Sequence, residues 1–228
     1  MQNKAHYISI LKFFRQLKPD FPLGEGIAVL NPYSDINVLS IAEKFYKQYY
    51  NDCNPRRLMF GINPGRFGGG VTGIPFTDPV RLEKYCGISS GLPLKPELSS
   101  EFVYNVIDAW GGPDKFYSEI FITALSPLGF TKNGLNLNYY DEKQLMAASR
   151  AFIVEAVKKQ SEIFGNPATC YCIGEGENYK YFRKLNEEYN FFEKIIPLPH
   201  PRWVMQYRRK KQEEYIQLYL EKLRNPGD

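Results

Sequence analysis

Two side chains in this sequence stand where they can act on a bound molecule. His200 lies between Pro199 and Pro201, just after the apolar run Ile195-Ile196-Pro197-Leu198. The flanking prolines fix the backbone and so restrict the direction of the imidazole. His6, the other of only two histidines, falls in an amphipathic amino-terminal segment, so imidazole chemistry points to His200. Asn63 follows a second apolar run, Leu58-Met59-Phe60-Gly61-Ile62. It heads a loop in which six glycines and three prolines fall between Gly61 and Pro79, a composition that demands sharp turns and close approach. A short amide there can hold a water or a ligand carbonyl; Asn before Pro also starts turns. The loop has neither the Gly-Lys-Ser/Thr ending of a phosphate-binding loop nor the Gly-x-Gly-x-x-Gly dinucleotide pattern at the strand end.

The charge distribution adds a third feature. Against 25 acidic residues the chain carries 29 Lys and Arg, a net charge of +4. Five of those cations, Arg202, Arg208, Arg209, Lys210 and Lys211, follow His200 with no acid among them. Setting them aside leaves 24 basic against 25 acidic residues, so the positive excess sits in one place. Beside a site such a run is a footprint for phosphates; elsewhere it is a solvated helix face.

These residues need a scaffold, and apolar periodicity supplies one. Ile120 to Leu125 and Cys170 to Ile173 are further short apolar runs, each bounded by Gly or Pro, and with the two above they read as buried strands. Helical spacing appears at Val38 to Tyr49, Glu101 to Trp110, Glu142 to Phe164, Tyr179 to Tyr189 and Tyr215 to Leu223, the last stopping before Asn225-Pro226-Gly227. Strands separated by helices predict an α/β fold with a largely parallel sheet covered on both faces. Ligands of such sheets bind beyond the carboxyl ends of the strands, where the loops after Ile62, Leu125, Ile173 and Leu198 should meet.

Composition bounds the rest. With 228 residues, 43% hydrophobic and 24% charged, the chain is expected to fold as one globular domain over 1–228, residues 1–50 forming a helical extension packed on it. No apolar run is long enough to span a bilayer and no signal-peptide core opens the chain, so the expected location is cytoplasmic. Cys53, Cys86, Cys170 and Cys172 lack paired C-x-x-C spacing, giving neither a disulfide framework nor a zinc signature.

Three segments carry a family likeness. Asn63-Pro64-Gly65-x-Phe67-Gly68, Thr72-Gly73-Ile74-Pro75-Phe76 and His200-Pro201 resemble the single-strand-selective monofunctional uracil-DNA glycosylases of the uracil-DNA glycosylase superfamily. Ser126-Pro127-Leu128, Gly134 to Leu137 and Ile173 to Gly176 fall in matching order, so the likeness runs from about Arg57 to Lys222. It implies a three-layer α/β/α sandwich around a central, mainly parallel four-stranded sheet. It also implies a DNA glycosylase that needs no metal or cofactor, acts as a monomer and, in a bacterium, works at the nucleoid. By this likeness Asn63 positions the attacking water and His200 hydrogen-bonds the departing base. Phe76 stacks on that base, while Ile62, Gly65, Ala124 and Ser126 surround it. Arg66, Arg202, Trp203, Val204, Met205, Arg208, Arg209 and Lys210 are the expected DNA contacts.

The sequence departs from the family at two points. Where relatives carry an asparagine that reads the Watson-Crick edge of uracil, this chain has Ala124, whose methyl can neither donate nor accept. A site without that amide should discriminate uracil from other bases less strongly, unless Ser126 or one of Asn133, Asn136 and Asn138 takes over. After His200-Pro201 the usual proline-rich wedge is replaced by Arg202-Trp203-Val204-Met205-Gln206-Tyr207 and the basic run, so Trp203, Val204 or Met205 is expected to fill the vacated base position. A monofunctional mechanism is expected because the catalytic loops hold no evident lysine to form a Schiff base. Two other readings fit the same residues: a nucleic-acid-binding protein that kept the fold with little or no activity, and a hydrolase of a free nucleoside or other small molecule, for which the basic run has no use.

Overall fold

The computed structural model describes residues 4–225. In chain order the strands are β1 (Ile27–Leu30), β2 (Arg57–Gly61), β3 (Ile120–Ala124), β4 (Gly129–Lys132), β5 (Leu135–Leu137), β6 (Thr169–Ile173) and β7 (Lys194–Leu198). The helices are α1 (His6–Arg15), α2 (Ile36–Tyr49), α3 (Gly69–Thr72), α4 (Pro79–Cys86), α5 (Leu98–Trp110), α6 (Pro113–Glu119), α7 (Lys143–Ala148), α8 (Arg150–Ile163), α9 (Glu177–Tyr189), α10 (Pro201–Tyr207) and α11 (Gln212–Arg224).

The four apolar runs form one parallel sheet in the order β3-β2-β6-β7. All of β3 is buried and β2 and β6 nearly so, which is why these segments read as continuous apolar runs without alternation. Helices surround the sheet. One apolar core links α1 through Ile10 and Phe14, the sheet through Phe60 and Ile122, and α11 through Leu220 and Leu223.

The structure differs from the sequence reading in four places. A second sheet, β1-β4-β5, is antiparallel and was not anticipated. Its β4-β5 hairpin turns on Asn133-Gly134, both at positive φ (51° and 75°), the backbone that favours Asn-Gly in a two-residue turn. Because β1 lies within the first fifty residues, that segment is not purely helical. The predicted helix over Glu142 to Phe164 is two helices broken at Ser149. Finally, the residues after His200 form a helix, α10, with Pro201 in its first turn, where proline costs no hydrogen bond. The Pro226-Gly227 stop lies outside the described residues.

Candidate active site

Strand order fixes where a site can form. From β2 the chain passes to β3 on one side, whereas from β6 it passes to β7 on the other. A crevice therefore opens beyond the carboxyl ends of β2 and β6. There lies a cleft of about 300 Å³ whose walls include Gly61, Asn63, Gly65, Phe76, Ala124 and His200.

His200 reaches the cleft two residues beyond β7, as the N-cap of α10. Its Nδ1 accepts the Arg202 backbone N–H at 3.1 Å. Burial and then the Arg202 charge lower the imidazole pKa to about 4, so the ring is neutral at neutral pH. A neutral ring whose Nδ1 accepts must carry its one proton on Nε2. The helix cap thus fixes the tautomer and leaves an N–H donor.

Asn63 is held by the unanticipated hairpin. Its Nδ2 donates to Leu137 O at 3.2 Å, and its Oδ1 accepts the Tyr139 N–H at 3.1 Å. Both ends of the amide are assigned by backbone partners, and Oδ1 keeps a second lone pair for a water.

Phe76 sits at φ 53°, an uncommon backbone for an aromatic residue. A left-handed residue of this kind stores about 1–3 kcal/mol and persists only where its surroundings impose it. Here Phe76 is the third residue of a turn closed by the Thr77 N–H donating to Ile74 O at 3.2 Å, and the Thr72 hydroxyl braces both ends of that turn, donating to Thr77 O at 2.7 Å and accepting from Ile74 N at 3.2 Å. The ring lies over Gly61, where a Cβ would come within 2.8 Å of it, and its centroid is 6.2 Å from that of His200.

Ile62, Gly65 and Ala124 also line the cleft. Ser126 does not: it is fully buried and its hydroxyl donates to Leu128 O at 2.7 Å. Asn133 lies in the hairpin turn, while Asn136 and Asn138 face the cleft.

The rim separates the candidate DNA contacts. Val204 and Met205 are buried, since α10 packs on the core by that face, which leaves them unavailable as wedges. Trp203 is exposed on the rim, edge-on to Tyr215 at 5.8 Å with the Arg208 guanidinium 5.1 Å from its ring. Arg209 pairs with Glu101 at 2.9 Å and Lys211 with Glu214 at 3.2 Å. Arg202, Arg208 and Lys210 make no salt bridge among the described residues. Arg66 stacks on Phe67 and donates to Gly134 O. Sequence reasoning missed Tyr207, Tyr140 and Glu97, which line the cleft. Two exposed aromatics in a basic stretch were a visible signal for Tyr207; Glu97 had none.

The superfamily model for uracil DNA glycosylase matches residues 47–224, a span containing every wall of this cleft. The chain belongs to the uracil DNA glycosylase superfamily. A solved structure, that of Pedobacter heparinus SMUG2, is 41% identical with a TM-score of 0.92, over 97% of this chain and 97% of that one. None of the curated proteins matches this chain by sequence. Membership makes the protein a DNA glycosylase of base excision repair, a hydrolase of N-glycosyl bonds that acts on DNA. No helix among the described residues is long and apolar enough to cross a membrane.

Proposed function

We propose that the protein excises uracil from DNA, and other deaminated or oxidised bases with a carbonyl beside the glycosidic nitrogen, leaving an abasic site. The observation that carries this reading is a neutral His200, its proton confined to Nε2, in one cleft with a backbone-anchored Asn63.

Cleavage of the glycosidic bond puts positive charge on the sugar and negative charge on the departing base. His200 Nε2–H donates to the base oxygen that gains charge, an interaction that strengthens in the transition state and is worth ~3–4 kcal/mol. Asn63 cannot remove a proton. It holds the water by Oδ1, which suffices when the sugar cation is already well developed. Phe76 stacks on the flipped base, and such stacking contributes ~1–3 kcal/mol towards the cost of unstacking it. The enzyme is monofunctional in this reading, supported by a cleft whose lining, among the described residues, holds no lysine to form a Schiff base. It acts as a single-domain monomer in the cytoplasm, at the nucleoid in a bacterium.

Trp203 fills the vacated base position while Arg202 and Arg208 beside it hold phosphates. Replacing both arginines by Gln is expected to weaken binding across all DNA sequences and to lower the salt slope by about two ion equivalents. Binding isotherms at several salt concentrations check this, and an unchanged slope removes these residues from the phosphate track. The test of the function itself is excision from single- and double-stranded oligonucleotides carrying a panel of lesions. Uracil is expected to be the best substrate.

A further inference from the structure

Glu97 lies in the cleft and has no part in the chemistry above. It is the N-cap of α5 yet makes no side-chain capping bond; its backbone N–H donates to Asp78 Oδ2 at 2.8 Å. The side chain turns into the cleft and lies across the glycine loop. A Cβ on Gly68 would collide with Glu97 Oε2, and one on Gly65 would sit 3.4 Å from Oε1. Asn136 flanks the same space, its Nδ2 3.4 Å from that Gly65 position while its Oδ1 accepts the Arg66 N–H at 3.1 Å. Neither the Glu97 carboxyl nor Asn136 Nδ2 has a hydrogen-bond partner among the described residues.

We infer that Glu97, as a neutral carboxylic acid beside Gly65, is the specificity-determining group that reads the polar edge of the flipped base, supplying what Ala124 lacks. The inference rests on the glycosylase reading. A carboxylic acid presents a hydroxyl and a carbonyl side by side, as a carboxamide presents its NH₂ and carbonyl, so it donates to a base carbonyl while accepting from the adjoining ring N–H. Ionised, it only accepts, and it sets a negative charge beside a base that is becoming an anion. A neutral acid avoids both faults.

The surroundings favour the neutral form. Burial, then the Asp78 carboxylate, raise the Glu97 pKa to about 7, with Arg202 pulling it down. Asp78 is itself paired with Arg81 at 3.1 Å, and Glu101 on α5 pairs with Arg209 at 2.9 Å. His200 titrates at about 4 and Tyr140 at about 12, both far from neutrality. Since the folded-state pKa of Glu97 stands above the ordinary carboxylate value, the competent neutral form is present below about pH 7 and is lost above it.

The experiment is single-turnover excision of uracil from a single-stranded oligonucleotide over about pH 5.5–8.5, with the full-length protein, Glu97→Gln and Glu97→Ala. The wild-type rate is expected to fall up to about tenfold per unit above about pH 7. Glu97→Gln, which keeps a donor and an acceptor, should stay within severalfold of wild type at low pH and lose the pH dependence. Glu97→Ala should lose about tenfold or more at low pH and discriminate less between uracil and 3-methyluracil, whose ring N–H is blocked. A wild-type rate that is flat or rises with pH overturns the inference. So does Glu97→Gln retaining the wild-type profile, or Glu97→Ala excising at the wild-type rate. If Glu97→Ala fails to fold by thermal melting, the Glu97→Gln profile decides alone. Wild-type protein that excises no uracil at any pH refutes the glycosylase reading instead.

Discussion

His200→Asn is expected to keep a folded protein and lose about a hundredfold or more in the rate of uracil excision. Asn is a good N-cap residue, and its Oδ1 stands where the imidazole Nδ1 accepts the Arg202 N–H, so α10 keeps its first turn. What it lacks is the Nε2–H that, in the proposed mechanism, donates to the base oxygen. His200→Ala removes the cap as well, which costs a further ~0.5–2 kcal/mol of stability. Comparing the two variants by thermal melting and single-turnover kinetics separates catalysis from capping. If His200→Asn excised uracil within a few fold of wild type, the imidazole would have no part in stabilising the departing base.

Asn63→Ala is the second large effect. Displacing an attacking water by about 1 Å is enough to cost about a hundredfold, and in the proposed mechanism this variant removes the group that holds it. It also leaves Leu137 O and the Tyr139 N–H without their Asn63 partner, so a fall in melting temperature should accompany the loss. Affinity for DNA carrying a non-cleavable uracil analogue should stay within a few fold of wild type, because the proposed mechanism has Asn63 work on the water and not on the phosphates. A variant that loses affinity and rate in parallel would make Asn63 a binding residue. A rate equal to wild type would remove it from the mechanism.

Much of this arrangement could be read in the sequence, and its omissions have physical causes. Four short apolar runs announce a parallel sheet, and in β2, β3 and β6 burial on both faces leaves no room for polar alternation. That sheet in turn puts the residues after Ile62 and Leu198 at one crevice. The β4-β5 hairpin left only its Asn133-Gly134 turn as a signal, because Leu135 and Asn136 are exposed and the strand has three residues, too few for a periodicity signal. Helix α10 was hidden for a similar reason, having seven residues that begin at a proline, which reads as a loop until its N-cap is seen. Its burial pattern then decided what composition could not, sending Val204 and Met205 inward and Trp203 out. Glu97 was illegible because its position depends on the missing side chain of Gly68, a contact between residues far apart in the chain.

The central claim is that this cleft hydrolyses a glycosidic bond without cutting the strand. The most direct measurement incubates the protein with an end-labelled oligonucleotide bearing one uracil, and resolves the products with and without hot alkali. An intact strand without alkali and scission at the uracil position after it are the expected result. Scission without alkali would contradict the monofunctional mechanism, and no scission after alkali in either single- or double-stranded DNA would contradict the glycosylase reading itself.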